Sequence, residues 1–203
     1  MRKNINLHKI KIFLASSNEL KFERKQIEIF IAKKNKRLMN YNIFLELVLW
    51  EDLMHSYNRT RIQDYFNEEM SKCKIIIALF YTKVGLFTKE ELNIAYNGMK
   101  KNDQPQYILV FFKKPKSRKI NLEIRQLQNE IENQEQLYNT FTNTDDLLNQ
   151  LSSQLELILD ASVQIGKKMN NLENIVVNQI LDSSKVETVV GSIGYIENFN
   201  ISK

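Results

Sequence analysis

Apolar, β-branched runs alternate with helical segments along this chain, and the runs are continuous rather than alternately apolar and polar. Continuous runs mark strands buried on both faces, so the predicted fold class is α/β, with a parallel sheet covered by helices on either side. The order, strand then helix repeated five times, makes a flavodoxin-like, doubly wound five-stranded sheet the economical topology. It is expected to occupy residues 1–160, with residues 161–203 as a short C-terminal appendage.

Taken in order, Ile10–Ala15 reads as the first strand, ending in the small polar pair Ser16-Ser17. Asn18 then reads as the N-cap of a helix of about five turns, charged through Lys25 and apolar at Ile27, Ile29, Phe30 and Ile31. Ile43–Trp50 is the second strand; a polar loop from Glu51 to Thr60 leads to a helix over Arg61–Ser71. Ile75–Phe80 is the third strand, and the helix after it is predicted over Thr88–Lys101, with Glu90 and Glu91 in its first turn. Asn102–Pro105 makes a turn into the fourth strand, Tyr107–Phe112. Pro115 sits in a basic loop, followed by a helix over Leu122–Ile131 and a short fifth strand over Leu137–Phe141. A last helix carries Leu147, Leu148, Leu151, Leu155, Ile158 and Leu159 on one face at three–four spacing. Beyond Asp160 the apolar residues come in short groups among glycines and asparagines. Leu172, Ile175, Val176, Gln179 and Ile180 fit one short amphipathic helix, and the remainder is too sparse for a core of its own. Such a tail packs back, stays mobile or docks on another molecule.

Composition narrows the function classes. With 43% hydrophobic residues in 203, the chain has enough for a sizeable core. One cysteine, Cys73, rules out an internal disulfide framework; beside a buried strand it reads as a small core residue. Two histidines, His8 and His55, are too few for a histidine metal cluster, and no metal site is expected. The first residues are polar and basic with no apolar segment behind them, and no window approaches the length of a membrane span, so a reducing cytoplasm is the expected setting. The net charge of +5 hides a split: residues 1–119 hold 24 basic and 12 acidic side chains, residues 120–203 hold 5 and 12. A split of this kind can serve an anion surface or head-to-tail packing of copies, and equally a lysine-rich solvated face. No aromatic–basic interleaving accompanies the lysine clusters, so nucleic acid is not the expected partner.

Several catalytic motifs are missing. The loop after the first strand, Ala15-Ser-Ser-Asn-Glu19, lacks the glycines of a dinucleotide fold, and there is neither a phosphate-binding loop nor a Gly-x-Ser-x-Gly elbow. What the topology brings to one edge is Ser16 and Ser17, then Trp50-Glu-Asp-Leu53, then Tyr81-Thr-Lys-Val-Gly-Leu-Phe87 with Glu91. Open α/β sheets hold their ligands just past the strand C-termini. Trp50, Tyr81 and Phe87 could stack flat rings there, with Lys83 in the same loop and the Glu91 carboxylate facing a developing cation. Each also has a plain role: core capping for Trp50, packing for Tyr81 and Phe87, turn chemistry for the serines, and helix-dipole complementarity for Glu91.

Three segments, Phe13-Leu-Ala-Ser-Ser17 with Glu19-Leu20, Glu46-Leu-Val-Leu-Trp50-Glu-Asp-Leu53, and Leu79-Phe-Tyr-Thr-Lys-Val-Gly85, resemble the bacterial group of TIR (Toll and interleukin receptor homology) domains over residues 9–158. The Phe80–Tyr96 segment, with its Glu-Leu-x-x-Ala, is similar to the stretch that carries the catalytic glutamate of NAD-cleaving TIR domains. The resemblance implies that Glu91 is catalytic and puts Phe87 in the place of the family's frequent tryptophan; Ser16, Ser17, Trp50, Tyr81, Lys83 and Phe87, at the shared edge, are then the expected substrate-binding residues. It departs from the family where Leu86-Phe87-Thr88 replaces the usual Trp-Cys. NAD is then substrate, with no further cofactor, and the products are nicotinamide with ADP-ribose or a cyclic ADP-ribose. The resemblance also implies a homo-oligomer or filament, activation by self-assembly in antiphage defence, and a trigger arriving through the tail or a separate sensor protein. Some TIR domains are adaptors that only bind partners, and that is the alternative reading. A nucleoside-cleaving enzyme on a related sheet and a basic nucleic-acid binder complete the set.

Overall fold

The computed structural model describes residues 7–49, 62–84, 86–101, 105–115 and 121–181, with side chains left undescribed at 62–66, 86–91, 161 and 165–181. Strands β1 (His8–Ser16), β2 (Ile43–Leu49), β3 (Ile75–Phe80), β4 (Tyr107–Lys113) and β5 (Asn139–Phe141) form one parallel sheet in the order β2-β1-β3-β4-β5. Helices α1 (Lys21–Leu38), α2 (Ile62–Ser71), α3 (Leu86–Lys100), α4 (Leu122–Asn133) and α5 (Thr144–Leu181) connect and follow the strands. This is the flavodoxin-like, doubly wound arrangement that the alternation of runs predicts. The chain divides into two compact units, Met1–Ile158 and Leu159–Lys203. Among the described residues no helix is long and apolar enough to cross a membrane.

β3 lies between two neighbours and is buried at all six positions, which is why its sequence has no polar alternation. On one face Ala78 and Phe80 pack with Val110, Phe112, Leu92 and Tyr96 of α3, and Ile124, Leu127 and Ile131 of α4. The Phe80 and Phe112 rings stack with centres 5.1 Å apart, and Tyr138 closes edge-on against Phe112 at 5.0 Å. Fully burying a side chain of this size contributes about 1.5–3 kcal/mol, and a second cluster built on Phe13, Val48, Met70, Cys73 and Ile76 adds to it. α1 and the opening turns of α5 are tied together by Lys34, which donates to Ser152 Oγ at 3.3 Å and meets Glu156 at 3.2 Å.

Asn35 of α1 is buried, donating from Nδ2 to the Leu45 carbonyl at 2.9 Å and accepting the Leu45 amide at Oδ1 at 2.8 Å. In a parallel strand the N–H and C=O of one residue point to the same side. Leu45 turns both away from β1, and the asparagine amide satisfies both. At the start of α5, Asn143 Oδ1 accepts the Asp146 amide at 3.0 Å while the Asp146 carboxylate accepts the Thr142 amide at 2.8 Å, a reciprocal cap. Gln150, first, and Thr142 hold the Asp146 carboxyl below the usual carboxylate range.

Element boundaries depart from expectation in instructive places. Ser17, not Asn18, takes the N-cap position of the first helical segment, without a side-chain capping bond, and the segment opens as a 3₁₀ turn (Asn18–Leu20) before α1 begins. The fifth strand shrinks to three residues, Asn139–Phe141, paired along its length with Phe111–Lys113 of β4. α5 is one helix of 38 residues, its residues 144–158 in the first unit and 159–181 in the second, where two separate helices were expected. α3 starts at Leu86 rather than Thr88, with no acid in its first turn.

Candidate functional site

The strand order reverses between β1 and β3, and in open sheets the crevice beyond the strand ends at such a reversal is where ligands bind. Ser16, the last residue of β1, is level with Leu79, so the loops after β1 and β3 leave the sheet side by side. Phe80 is level with Phe112, which sets Tyr81 beside Lys113, the last residue of β4. The Lys113 ammonium lies 5.2 Å from the centre of the Tyr81 ring.

That ammonium also forms a short ion pair with Glu23, the third residue of α1, which is 3% exposed. Burying a carboxylate is costly unless a cation and hydrogen bonds compensate it. Lys113 supplies the first, and a place in the opening turn of a helix adds the favourable end of the peptide dipoles. Arg24 follows at 4% exposed and donates from Nη1 to the Ser16 carbonyl at 3.3 Å and to Ser16 Oγ at 3.1 Å. Two opposite charges thus lie side by side in the first turn of α1, one reaching β4 and the other β1.

Thr82 is engaged through three polar groups. Its amide donates to Glu19 at 3.3 Å and its hydroxyl donates to the same carboxylate. Its carbonyl accepts from Asn121 Nδ2 at 2.9 Å. Asn121 is itself the N-cap of α4, accepting the Glu123 amide at 3.0 Å. Ser17, by contrast, has a buried hydroxyl with no hydrogen-bond partner among the described residues, an uncommon condition for a buried polar atom.

Of the residues singled out by sequence, Ser16, Ser17, Tyr81 and Lys83 therefore stand at the C-terminal edge of β1 and β3, with Lys83 exposed. Trp50 lies outside the described residues. Phe87 and Glu91 are on α3, their side chains outside the described set. Because α3 begins at Leu86, Glu91 falls in its second turn rather than its first, roughly 7.5 Å along the axis. The helix dipole acts more weakly there than on an acid in the first turn. Glu23, Arg24, Lys113 and Asn121 were not singled out by sequence, and Glu19 only as part of a motif segment, with no role given to it. The signal was present in part: an acid and an arginine adjacent at Glu23-Arg24, and an Asn directly before the helical run at Leu122.

Away from this edge, Cys73 is buried and donates to the Glu69 carbonyl at 3.3 Å; burial pushes its thiol up to about 12, against the pull of Lys11. Burial likewise raises the Tyr96 phenol to about 12. Among the described residues no group of three or more His, Cys, Asp or Glu side chains could hold a metal ion.

No protein-family model matches the chain, and no curated protein matches it. Among solved structures it is similar to the CMP N-glycosidase BcmB of Clostridium botulinum, at 15% identity over 70% of this chain and 97% of that one, with a TM-score of 0.45. A likeness at that level says nothing about what this chain acts on. The resemblance to TIR domains rests on the three motif segments in the sequence.

Proposed function

We propose that the chain cleaves the bond between nicotinamide and ribose in NAD, with Glu91 facing the ribosyl centre. The observation that carries this reading is the reversal of strand order between β1 and β3. It supports a crevice flanked by Ser16, Ser17, Tyr81 and Lys83, beside the loop that leads into the helix bearing Glu91.

Cleavage of an N-glycosidic bond passes through an oxocarbenium-like centre. Nicotinamide in NAD is already cationic and leaves as a neutral ring, taking the bonding electron pair, so no acid is needed to protonate it. One carboxylate beside the ribose then suffices to stabilise the cation or bond to it. Water capture gives ADP-ribose and a proton; capture by the adenine gives a cyclic product. Trp50 and Phe87 belong to this proposal as ring-stacking residues. We further read the chain as a cytoplasmic, self-assembling effector in antiphage defence, with residues 161–203 serving oligomerisation or docking of a separate sensor protein.

The test is nicotinamide release from NAD by the purified chain, followed by chromatography over a wide protein range beside Glu91→Gln. Release is expected, rising more steeply than protein concentration. Removing the carboxylate is expected to lower the rate by about a hundredfold or more with the melting temperature unchanged. Full activity in folded Glu91→Gln would end the assignment. Release from nicotinamide riboside but not NAD would move the reading to a nucleoside-type enzyme, and no release at any concentration would favour the adaptor. Strict proportionality to concentration would remove the assembly step. Deleting 163–203 without a change in sedimentation would remove the role given to the tail.

A further inference from the structure

Two acids four residues apart on the connection from β1 into α1 reach across to the loop after β3, each by its own route. Glu19 accepts both the amide and the hydroxyl of Thr82. Glu23, buried, grips Lys113, whose ammonium lies over the ring of Tyr81. Asn121 holds the Thr82 carbonyl from the opposite side. A surface loop ordinarily leaves such groups to water. Here two consecutive loop residues are fastened to three separate elements just before α3 begins.

We propose that Glu19 and Glu23 are positioning residues that fix the β3–α3 loop and, through it, the placement of the helix carrying Glu91 against Ser16. The inference rests on the function proposed above. Neither acid needs to touch the substrate. Glu23 is sealed off by its own burial, and Glu19, although exposed, turns both carboxylate oxygens toward Thr82. Misplacing a reacting group by a fraction of an ångström lowers the rate of the bond-breaking step while leaving the ground-state contacts that set binding largely in place.

The experiment uses the full chain with Glu19→Ala, Thr82→Val, their double variant and Thr82→Ser. Peptide-level hydrogen exchange over Tyr81–Val84 is read beside kcat and KM for NAD. In Glu19→Ala the loop amides are expected to exchange about tenfold faster. The same variant should lose about tenfold in kcat, with KM within about a factor of two. Thr82→Ser should keep both readouts near the parent, and the double variant should be no worse than Glu19→Ala, because both changes remove one contact. Glu23→Gln threatens folding, so that arm uses the charge-free pair Glu23→Gln with Lys113→Met, for which the same faster exchange and lower kcat are expected. Unchanged exchange in both arms would overturn the proposal. So would faster exchange with an unchanged kcat. If the parent chain releases no nicotinamide, the proposed function fails separately, and the exchange readout alone decides whether these acids fix the loop.

Discussion

Charged side chains crowd both ends of β1, and they are used in opposite ways. Near its beginning, Lys9 and Lys11 face Glu46 at 3.8 and 4.0 Å, and Lys11 reaches Glu69 at 3.8 Å. These are long contacts between side chains that keep a sixth to three-fifths of their surface in water. Beyond its end, Glu23 has lost nearly all contact with solvent and has one short partner in Lys113, while Arg24 is committed to Ser16. Solvated pairs are free to exchange partners and are screened by salt; a buried pair is nearly fixed and is costly to break. At the rim where α/β folds bind their ligands, Glu23 and Arg24 are held in place, while Glu19 and Lys83 beside them stay exposed.

Removing one buried partner should separate the two rims most clearly. Lys113→Met leaves Glu23 buried without its cation and is expected to cost about 3 kcal/mol in urea unfolding, part of it recovered by adding Glu23→Gln. A cost below about 1 kcal/mol would show that water reaches Glu23, and the two rims would be alike. A neutral polar contact gives an intermediate standard: Asn35→Leu strands the Leu45 amide and carbonyl and should cost about 2 kcal/mol by the same measurement. The smallest effect is expected at the solvated rim, where Glu46→Gln should change stability by less than about 0.5 kcal/mol, and by less still at high salt. A larger, salt-independent loss there would overturn the contrast.

How much of this was legible before the structure follows from the range of the interactions. Ile75–Phe80 was read correctly to the residue because burial on both faces leaves an unbroken apolar run, a purely local signal. The strand order followed from the alternation of strands and helices. Helix starts were read less well: α3 begins two residues before the sequence places it, which moves Glu91 by about half a turn relative to the helix end. Glu23 was invisible as anything but one charge in a charged segment, since a solvated first turn looks the same. What distinguishes it is a lysine ninety positions away, brought alongside by two crossovers of the sheet. Ser16 and Tyr81 were legible as edge residues because they directly follow recognisable strands; their partners Arg24 and Lys113 were not, because pairing depends on register.

The amide of Asn35 has an effect beyond the stability of α1. β2 is the outermost strand on its side, and an outermost strand ordinarily offers an unpaired row of donors and acceptors to any chain that approaches it. At Leu45, in the middle of that row, both groups are already taken. A second copy cannot continue the sheet through this point without evicting the asparagine. At this edge, then, the middle of β2 is closed to a further strand, and the sheet's row of free backbone groups is interrupted where it would be longest.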